Sequence, residues 1–229
     1  MNIPLSVEHG SINQTREQTG KEMHVLIIGG AGMVGQKLAN RLATEPDWSS
    51  RIDVMTLYDI APASKPKAGF RTQSLVGSLE NVAEAGKLAS LRPDIIFHLA
   101  AIVSGEAEQN FEKGWNINAR GSWHLLEALR NEHDTSNGAY VPRLIFTSSI
   151  AVFGPPFPEK IGDDFLTAPM TSYGSQKAMT ELLVSDYSRK GMIDGLSLRL
   201  PTICVRPGKA NLAASSFFSG IIREPLNGK

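Results

Sequence analysis

The chain has 229 residues, of which 41% are hydrophobic and 20% are charged, so it carries enough apolar material for the core of one globular domain. Its 23 basic residues balance its 23 acidic residues, which disfavours a protein dedicated to binding nucleic acid or an anionic membrane surface. No apolar run approaches the roughly 18 to 20 residues that span a bilayer, so we expect a soluble protein without a membrane partner.

The N-terminal residues 1–22 are polar and lack the continuous apolar stretch of a secretory signal, so we expect a flexible leader, with Met23 as an alternative start. Cys204 is the only cysteine, which excludes a disulfide within the chain and favours a reducing, cytoplasmic setting. The five histidines are too dispersed to predict a metal site.

After the leader, short apolar runs alternate with stretches of helical periodicity, which is typical of strands buried on both faces of a parallel sheet. The predicted strands are 24–28, 52–58, 71–76, 94–99, 141–148 and 195–200. The predicted helices are 33–44, 80–90, 107–131, 171–190 and 212–223. Right-handed crossovers would place helices on both faces, giving a Rossmann-like, doubly wound α/β fold with a ligand crevice at the carboxyl ends of the strands.

A glycine pattern GxxGxxG joins the first strand to the first helix. In a dinucleotide-binding turn of this kind, Gly29 permits the tight turn and Gly32 lets the backbone approach a pyrophosphate at the positive end of the helix dipole. Gly35 allows the helix to pack closely on the strand. The alternative is an ordinary glycine-rich turn, which the strand-glycine-helix context makes less attractive.

The second strand is followed by Asp59, 24 residues beyond Gly35, where a dinucleotide fold places the acid that binds the adenosine ribose hydroxyls. A carboxylate there repels a 2′-phosphate and so favours NAD over NADP. Lys65, Lys67 and Arg71 follow and would blunt that preference if they lay close enough. The alternative is that Asp59 is an ordinary loop acid.

Tyr173 and Lys177 form a YxxxK pair whose side chains share one helix face. Such a pair arises by chance in roughly one chain in five of this composition, so the spacing alone is weak evidence. The predicted strand 141–148 runs into Ser149, which would place a hydroxyl at the crevice facing that helix.

Six ordered motifs together resemble the extended short-chain dehydrogenases/reductases of the NAD-dependent epimerase/dehydratase family. They are GGAGMVG (29–35), HLAA (98–101), NARGS (118–122), SSIAVFG (148–154), YGSQK (173–177) and LRLP (198–201). Three longer segments, 103–118, 147–159 and 199–228, resemble the members that oxidise short sugar acids. The resemblance implies NAD-dependent oxidation of a secondary hydroxyl, with D-erythronate as the expected substrate and 2-oxo-tetronate as the expected product.

Two other functions remain open. A nucleotide-sugar epimerase or dehydratase would share every cofactor motif but would keep its cofactor and return the hydride to an intermediate. A non-catalytic NAD-sensing protein is the third, although the intact Ser149, Tyr173 and Lys177 argue against it.

The resemblance also assigns roles to residues. Tyr173 would act as the base, Lys177 would stabilise the phenolate and hold the nicotinamide ribose, Ser149 would orient the substrate hydroxyl, and Asn118 would order the site and a water-linked proton path. The alternative for Asn118 is a surface helix amide. Besides the glycines, Asp59, Tyr173 and Lys177, the expected cofactor contacts are Met33, Val34, Ser78, Leu79, Leu99, Ala100, Ala101 and Pro201.

A sugar acid needs a cation for its carboxylate, and the first candidate is Arg206. The other expected substrate contacts, besides Ser149 and Tyr173, are Ser104 and Thr202, with Glu106 and Arg223 as weaker candidates. His98 is interpreted as a structural histidine and Cys204 as a small buried residue.

Members of the family continue past the sixth strand into a smaller lobe that closes over the substrate. We therefore expect a cofactor domain at 23–208 and the incomplete start of the second lobe at 209–229, exposing apolar residues 217, 218, 221 and 222. Such a chain would bind NAD⁺ but oxidise its substrate poorly. The resemblance also implies a homodimer formed through the long helices.

Overall fold

A computed structural model of the chain describes residues 22–206, 212–213 and 216–228. Within these residues the chain forms one parallel sheet of six strands in the order β3-β2-β1-β4-β5-β6. The strands are β1 His24–Ile28, β2 Val54–Asp59, β3 Arg71–Val76, β4 Ile95–His98, β5 Arg143–Ser149 and β6 Asp194–Leu200. Each strand overlaps its predicted range, and the predicted doubly wound α/β fold is confirmed.

The helices connect the strands and lie on both faces of the sheet. They are α1 Met33–Thr44, α2 Pro46–Ser49, α3 Val82–Ser90, α4 Ser104–Gln109, α5 Phe111–Gly114, α6 Gly121–Thr135, α7 Ser172–Arg189 and α8 Ser216–Leu226. A π-helical turn, Trp115–Arg120, joins α5 to α6, and a 3₁₀ turn, Ile150–Val152, follows β5. The short helix α2 has no counterpart in the sequence prediction.

The single helix predicted at 107–131 is wrong, because the chain leaves the helical conformation at Asn110. The Asn110 backbone has φ −132° and ψ 85°, and its side chain accepts a hydrogen bond from the Lys113 amide at 3.0 Å. A side chain that caps the following helix in this way competes with continuation of the preceding one. Residues 104–135 are therefore divided into α4, α5, the π-helical turn and α6.

The inner strands β1, β2 and β4 are covered on both faces, which explains why they read as apolar runs, whereas the edge strands β3 and β6 are partly exposed. On one face, Leu26 and Ile28 of β1 pack with side chains from α3, α6 and α7. On the other face, Val25 and Ile27 pack with Ala39 and other side chains of α1. The sheet is thus the middle layer between two apolar cores.

The strand order reverses between β1 and β4, since the chain builds outward from β1 to β3 and then returns to the opposite side of β1. In a doubly wound sheet a ligand crevice opens at this switch point, beyond the carboxyl ends of the strands. The segments that follow β1 and β4, at residues 29–32 and 99–103, therefore flank the crevice.

The turn from β1 to α1 is compact because its glycines lack side chains. Gly29 has φ +91°, and a Cβ atom on it would lie 2.7 Å from the amide nitrogen of Ala100, in the segment that follows β4. The Gly32 amide donates to the Gly29 carbonyl at 3.2 Å. A Cβ atom on Gly35 would overlap the same Gly29 carbonyl oxygen. The turn thus brings the N-terminus of α1 directly to the crevice.

Of the predicted leader, residues 1–22, the structure describes only Glu22, whose carboxylate pairs with Arg71 at 3.3 Å. In the described part of the chain, no helix combines the length and the apolar character needed to cross a membrane. Among those same residues, His, Cys, Asp and Glu side chains form no group of three or more suited to a metal ion.

Replacing Gly35 with alanine should destabilise the fold, whereas the same change at Gly86 should not. A Cβ atom at Gly35 meets backbone, but one at Gly86, in the exposed face of α3, meets nothing within 4 Å. We expect Gly35→Ala to lower the free energy of unfolding by about 2 kcal/mol or more. Gly86→Ala should raise it by about 0.5 to 1 kcal/mol through helix propensity. Urea unfolding of both variants checks this, and an equal effect would contradict the tight turn.

Acid should destabilise the protein through His98, which lies at the end of β4. Burial and then the Lys177 charge lower the pKa of His98 to about 3, so below pH 6.5 the unfolded chain takes up a proton that the folded chain refuses. The free energy of unfolding should fall by about 2 kcal/mol from this group between pH 7 and pH 5. Urea unfolding at both pH values checks this. His98→Asn should lose about 2 kcal/mol less than the parent over that interval, and equal losses would contradict the prediction.

Candidate active site

A cleft with a volume of about 610 Å³ opens at the carboxyl ends of the strands. Its lining brings together the turn after β1, the segment after β4, the end of β5, the start of α7 and the segment after β6. Ser149, Tyr173 and Lys177, which lie on β5 and α7, all line it. The three residues that the sequence singled out for chemistry thus share one cleft with the glycine turn.

Tyr173 reaches Ser149 because α7 begins very close to the turn after β5. Thr171 caps the helix by accepting a hydrogen bond from the Gly174 amide at 3.0 Å. A Cβ atom on Gly174 would overlap the Ala151 carbonyl oxygen, so only glycine allows this approach. Burial raises the pKa of Tyr173, and a hydrogen bond with Ser149 partly lowers it. With the protein alone, the phenol therefore stays protonated at neutral pH.

Lys177 is 2% exposed, and its Nζ atom donates a hydrogen bond to the Thr147 carbonyl at 2.7 Å. The same atom lies 4.6 Å from the centre of the Phe146 ring and 5.7 Å from that of Tyr173. Burial lowers the pKa of Lys177 to about 7, against an opposing contribution from the Glu181 charge. The ammonium is therefore fixed under the tyrosine but is poorly solvated.

Asn118 is 2% exposed, which excludes the surface-amide alternative. It lies in the π-helical turn, and its side-chain oxygen accepts from the Ile102 amide at 2.9 Å. Its side-chain nitrogen donates to the Ile102 carbonyl at 3.3 Å and to Gln176 Oε1 at 2.8 Å. The amide therefore ties the wall of the cleft to the helix that carries Tyr173, although Asn118 itself does not line the cleft.

Asp59 ends β2 beside the glycine turn. Its carboxylate accepts hydrogen bonds from the Ala31 amide at 2.9 Å and from the Ile60 amide at 2.7 Å. These bonds fix the carboxylate at the point where the turn begins, outside the lining of the cleft. Of the three cations that follow in sequence, Arg71 is paired with Glu22.

The remaining predicted cofactor contacts divide into two groups. Those that line the cleft are Gly29, Gly32, Met33, Val34, Gly35, Leu99, Ala101 and Pro201. Those that do not are Asp59, Ser78, Leu79 and Ala100. The Ser78 hydroxyl donates a hydrogen bond to the Glu80 carboxylate, and the Leu79 carbonyl accepts one from His124 Nδ1 at 2.9 Å. Ala100 lies directly behind Gly29.

Among the predicted substrate contacts, Ser104, Thr202 and Arg206 line the cleft. Arg223 does not, since its guanidinium is buried and bonds to Glu224 and to the Arg206 carbonyl. Glu106 forms an ion pair with Lys113 at 2.6 Å. Arg223 and Glu106, the two weaker candidates for substrate binding, are thus bonded to other residues.

The structure corrects one residue of the sequence analysis and adds two partners that the sequence analysis did not name. The Cys204 side chain is exposed, so its interpretation as a buried residue is wrong; it lies in the segment that follows the edge strand β6. The sequence did not predict that the Thr147 carbonyl would accept a hydrogen bond from Lys177. It also did not predict that Gln176 would accept one from Asn118. A backbone carbonyl leaves no sign in a sequence, and a glutamine beside a lysine has no distinctive spacing.

Comparisons with known proteins place these features in a family. The model of the NAD dependent epimerase/dehydratase family matches residues 25–229. D-erythronate dehydrogenase from Haemophilus influenzae is 44% identical over 207 residues, which cover 90% of this chain and 63% of that protein. D-erythronate dehydrogenase from Cupriavidus necator is 46% identical over 212 residues, with the same shares of the two chains.

A crystal structure described as a nucleoside-diphosphate-sugar epimerase from Agrobacterium tumefaciens is 52% identical. It superimposes with a TM-score of 0.84 over 91% of this chain and 61% of its own. The chain therefore spans less than two thirds of the length of each of these relatives. The family match covers nearly all of the described residues, and the chain belongs to the NAD-dependent epimerase/dehydratase family.

Proposed function

We propose that this chain binds NAD⁺ in the cleft and contributes to the oxidation of a secondary hydroxyl of a short sugar acid, with D-erythronate as the first substrate to test. The observation that carries the proposal is the joint placement of Ser149, Tyr173 and Lys177 in one cleft with the glycine turn. The names of the two relatives at 44% and 46% identity support the choice of substrate.

The glycine turn fits a dinucleotide. Its glycines have no side chains, and no side chain caps the N-terminus of α1. The amides and the helix dipole at such an N-terminus favour a pyrophosphate. The Asp59 carboxylate beside the turn would accept hydrogen bonds from the adenosine ribose hydroxyls, with Ser78 and Leu79 near the adenine. Small residues after β4, Ala100 and Ala101, would leave room for the cofactor, and Met33, Val34, Leu99 and Pro201 would contact it.

The catalytic residues divide the work of removing two hydrogens from a carbinol. Ser149 orients the substrate hydroxyl, and Tyr173 takes the hydroxyl proton as the C–H bond breaks. Bound NAD⁺ supplies the hydride acceptor. Lys177 stabilises the phenolate by its charge and holds the nicotinamide ribose, and Asn118 keeps α7 fixed against the cleft wall. The proton passes to Tyr173, the C–H electron pair leaves with its hydrogen as hydride, and the carbinol carbon becomes a carbonyl.

The substrate carboxylate needs a cation in the cleft, and Arg206 is an arginine that lines it. Ser104 and Thr202 also line the cleft and would donate hydroxyl hydrogen bonds to the substrate. The proposal also includes a homodimer through α6 and α7, whose large exposed apolar side chains are Trp123 and Leu182.

A nucleotide-sugar epimerase is the second candidate, favoured by the description of the 52% identical structure. Both enzymes need the same cofactor cleft, and they differ in the fate of the hydride. A dehydrogenase releases NADH, which absorbs at 340 nm, whereas an epimerase returns the hydride to its substrate. NADH formation with NAD⁺ and a panel of four-carbon to six-carbon aldonates, including D-erythronate, therefore separates them.

The carboxylate of Asp59 should make the chain prefer NAD⁺ to NADP⁺, because a 2′-phosphate would meet a like charge. We expect NAD⁺ to bind about tenfold more tightly or better, measured by calorimetry. Asp59→Asn keeps an oxygen for the Ala31 amide but removes the charge, so it should narrow the preference. Equal or tighter NADP⁺ binding by the parent chain would contradict the role of Asp59 and point to Lys65 or Lys67.

Tyr173→Phe keeps the ring and removes the phenolic oxygen, so it should lower turnover about 100-fold or more. The affinity for NAD⁺ should change little. Lys177→Met should lower both turnover and the affinity for NAD⁺, because the lysine contacts the cofactor as well as the tyrosine. NADH formation and calorimetry on the same preparations measure the two effects, and near-full turnover by Tyr173→Phe would show that another group takes the proton.

A further inference from the structure

Two buried polar atoms beneath Lys177 have no hydrogen-bond partner among the described residues: His98 Nδ1 and Ser148 Oγ. The residues that carry them are 2% and 3% exposed. An orphaned polar atom in a core costs free energy, so native proteins pair such atoms with protein groups or with ordered water. The role given above to Lys177 does not account for either atom.

The hydrogen bonds on the far side of the His98 ring determine which nitrogen carries the proton. Ser122 Oγ donates its only proton to the Asn118 carbonyl at 2.7 Å. It must therefore accept at its 2.9 Å contact with His98 Nε2, which places the ring proton on Nε2. Nδ1 of the neutral ring is then a lone-pair acceptor.

The register of the sheet places this acceptor and Ser148 on the same side as Lys177. His98 pairs with Phe146 across β4 and β5, and Ser148 follows two residues later on the same face. The Phe146 ring lies 5.6 Å from the His98 ring and 4.6 Å from Lys177 Nζ. The Lys177 ammonium and the His98 ring thus lie beside the same phenyl ring, and Ser148 lies on the same face of the sheet.

An ammonium has three N–H donors, and the Lys177 ammonium donates one of them to the Thr147 carbonyl. We propose that His98 Nδ1 and Ser148 Oγ hold a second N–H of Lys177 through one buried water, so that both residues position the ammonium beneath Tyr173. The water accepts from Lys177 and donates to His98, with Ser148 as a third partner. Three polar partners are the usual number for a buried water.

This arrangement makes His98 a positioning residue for the lysine. The titratable groups that face Lys177 are Tyr173 and Glu181 from its own helix and His98 from β4. Because His98 stays neutral, it stabilises the ammonium as an acceptor without competing for the proton. The inference concerns the charge and place of Lys177 and does not require that the chain oxidise a sugar acid, so its test reads the lysine rather than NADH.

Two substitutions separate the two nitrogens of His98. In His98→Asn the side-chain oxygen replaces Nδ1, so the acceptor toward Lys177 is kept and the donor to Ser122 is lost. In His98→Gln the side-chain nitrogen replaces Nε2, so the donor to Ser122 is kept and the acceptor is lost. The pKa of Lys177, read from the Cε resonance of ¹³C-labelled lysine, should stay near the parent value in the first variant. It should fall by about one unit or more in the second.

The parent chain itself provides a test that needs no variant. Ring ¹⁵N resonances of His98 should show the proton on Nε2 near neutral pH, and a proton on Nδ1 would overturn the proposal. Ser148→Ala, a small change that leaves the ring in place, should lower the pKa of Lys177 in the same direction as His98→Gln. An unchanged Lys177 in both His98→Gln and Ser148→Ala would also overturn it, as would a fall in His98→Asn alone.

Discussion

The burial of one positive charge constrains the arrangement of the cleft more than any other feature. Lys177 Nζ is surrounded by the Phe146 ring, the Thr147 carbonyl and the Tyr173 ring, and burial costs its charged form much of its hydration. Only partners with fixed geometry can offset that cost. The end of β5, the start of α7 and the end of β4 must therefore keep their mutual positions for the lysine to remain charged.

The same burial links the charge of the lysine to that of the tyrosine. It raises the pKa of Tyr173 and lowers that of Lys177, so it shifts both groups toward their neutral forms. A phenolate and an ammonium side by side stabilise each other, and a further positive charge in the cleft adds to that effect. Under the proposed function, a bound cofactor and Lys177 together would favour ionisation of Tyr173, whereas the free protein keeps the phenol protonated.

The sheet supplies the geometry that these charges need. Parallel strands present all their carboxyl ends at one edge, and the reversal of order at β1 and β4 leaves that edge open. Gly29 and Gly174 then remove the steric obstacles where the β1 turn meets the segment after β4 and where α7 meets the turn after β5. The π-helical turn directs Asn118 inward, where its amide joins the cleft wall to α7.

Local patterns along the chain were enough to predict some parts of this protein. Alternating apolar runs and helical periods predicted the six strands and the parallel fold, and the glycine spacing marked the turn at the crevice. The YxxxK spacing placed Tyr173 and Lys177 on one helix face, because that relation follows from the pitch of a helix alone. Together with the ordered motifs, these local features were sufficient to identify the family.

Relations between residues distant in the chain follow from tertiary packing and could not be predicted from local pattern. The burial of Asn118 and its bond to Gln176 depend on a break at Asn110 that helical periodicity does not reveal. The exposure of Cys204 depends on where the chain runs after β6. The contact of His98 Nε2 with Ser122 Oγ at 2.9 Å depends on the packing of α6 on β4. These features arise from contacts between elements, and a residue's own neighbours in sequence carry no record of them.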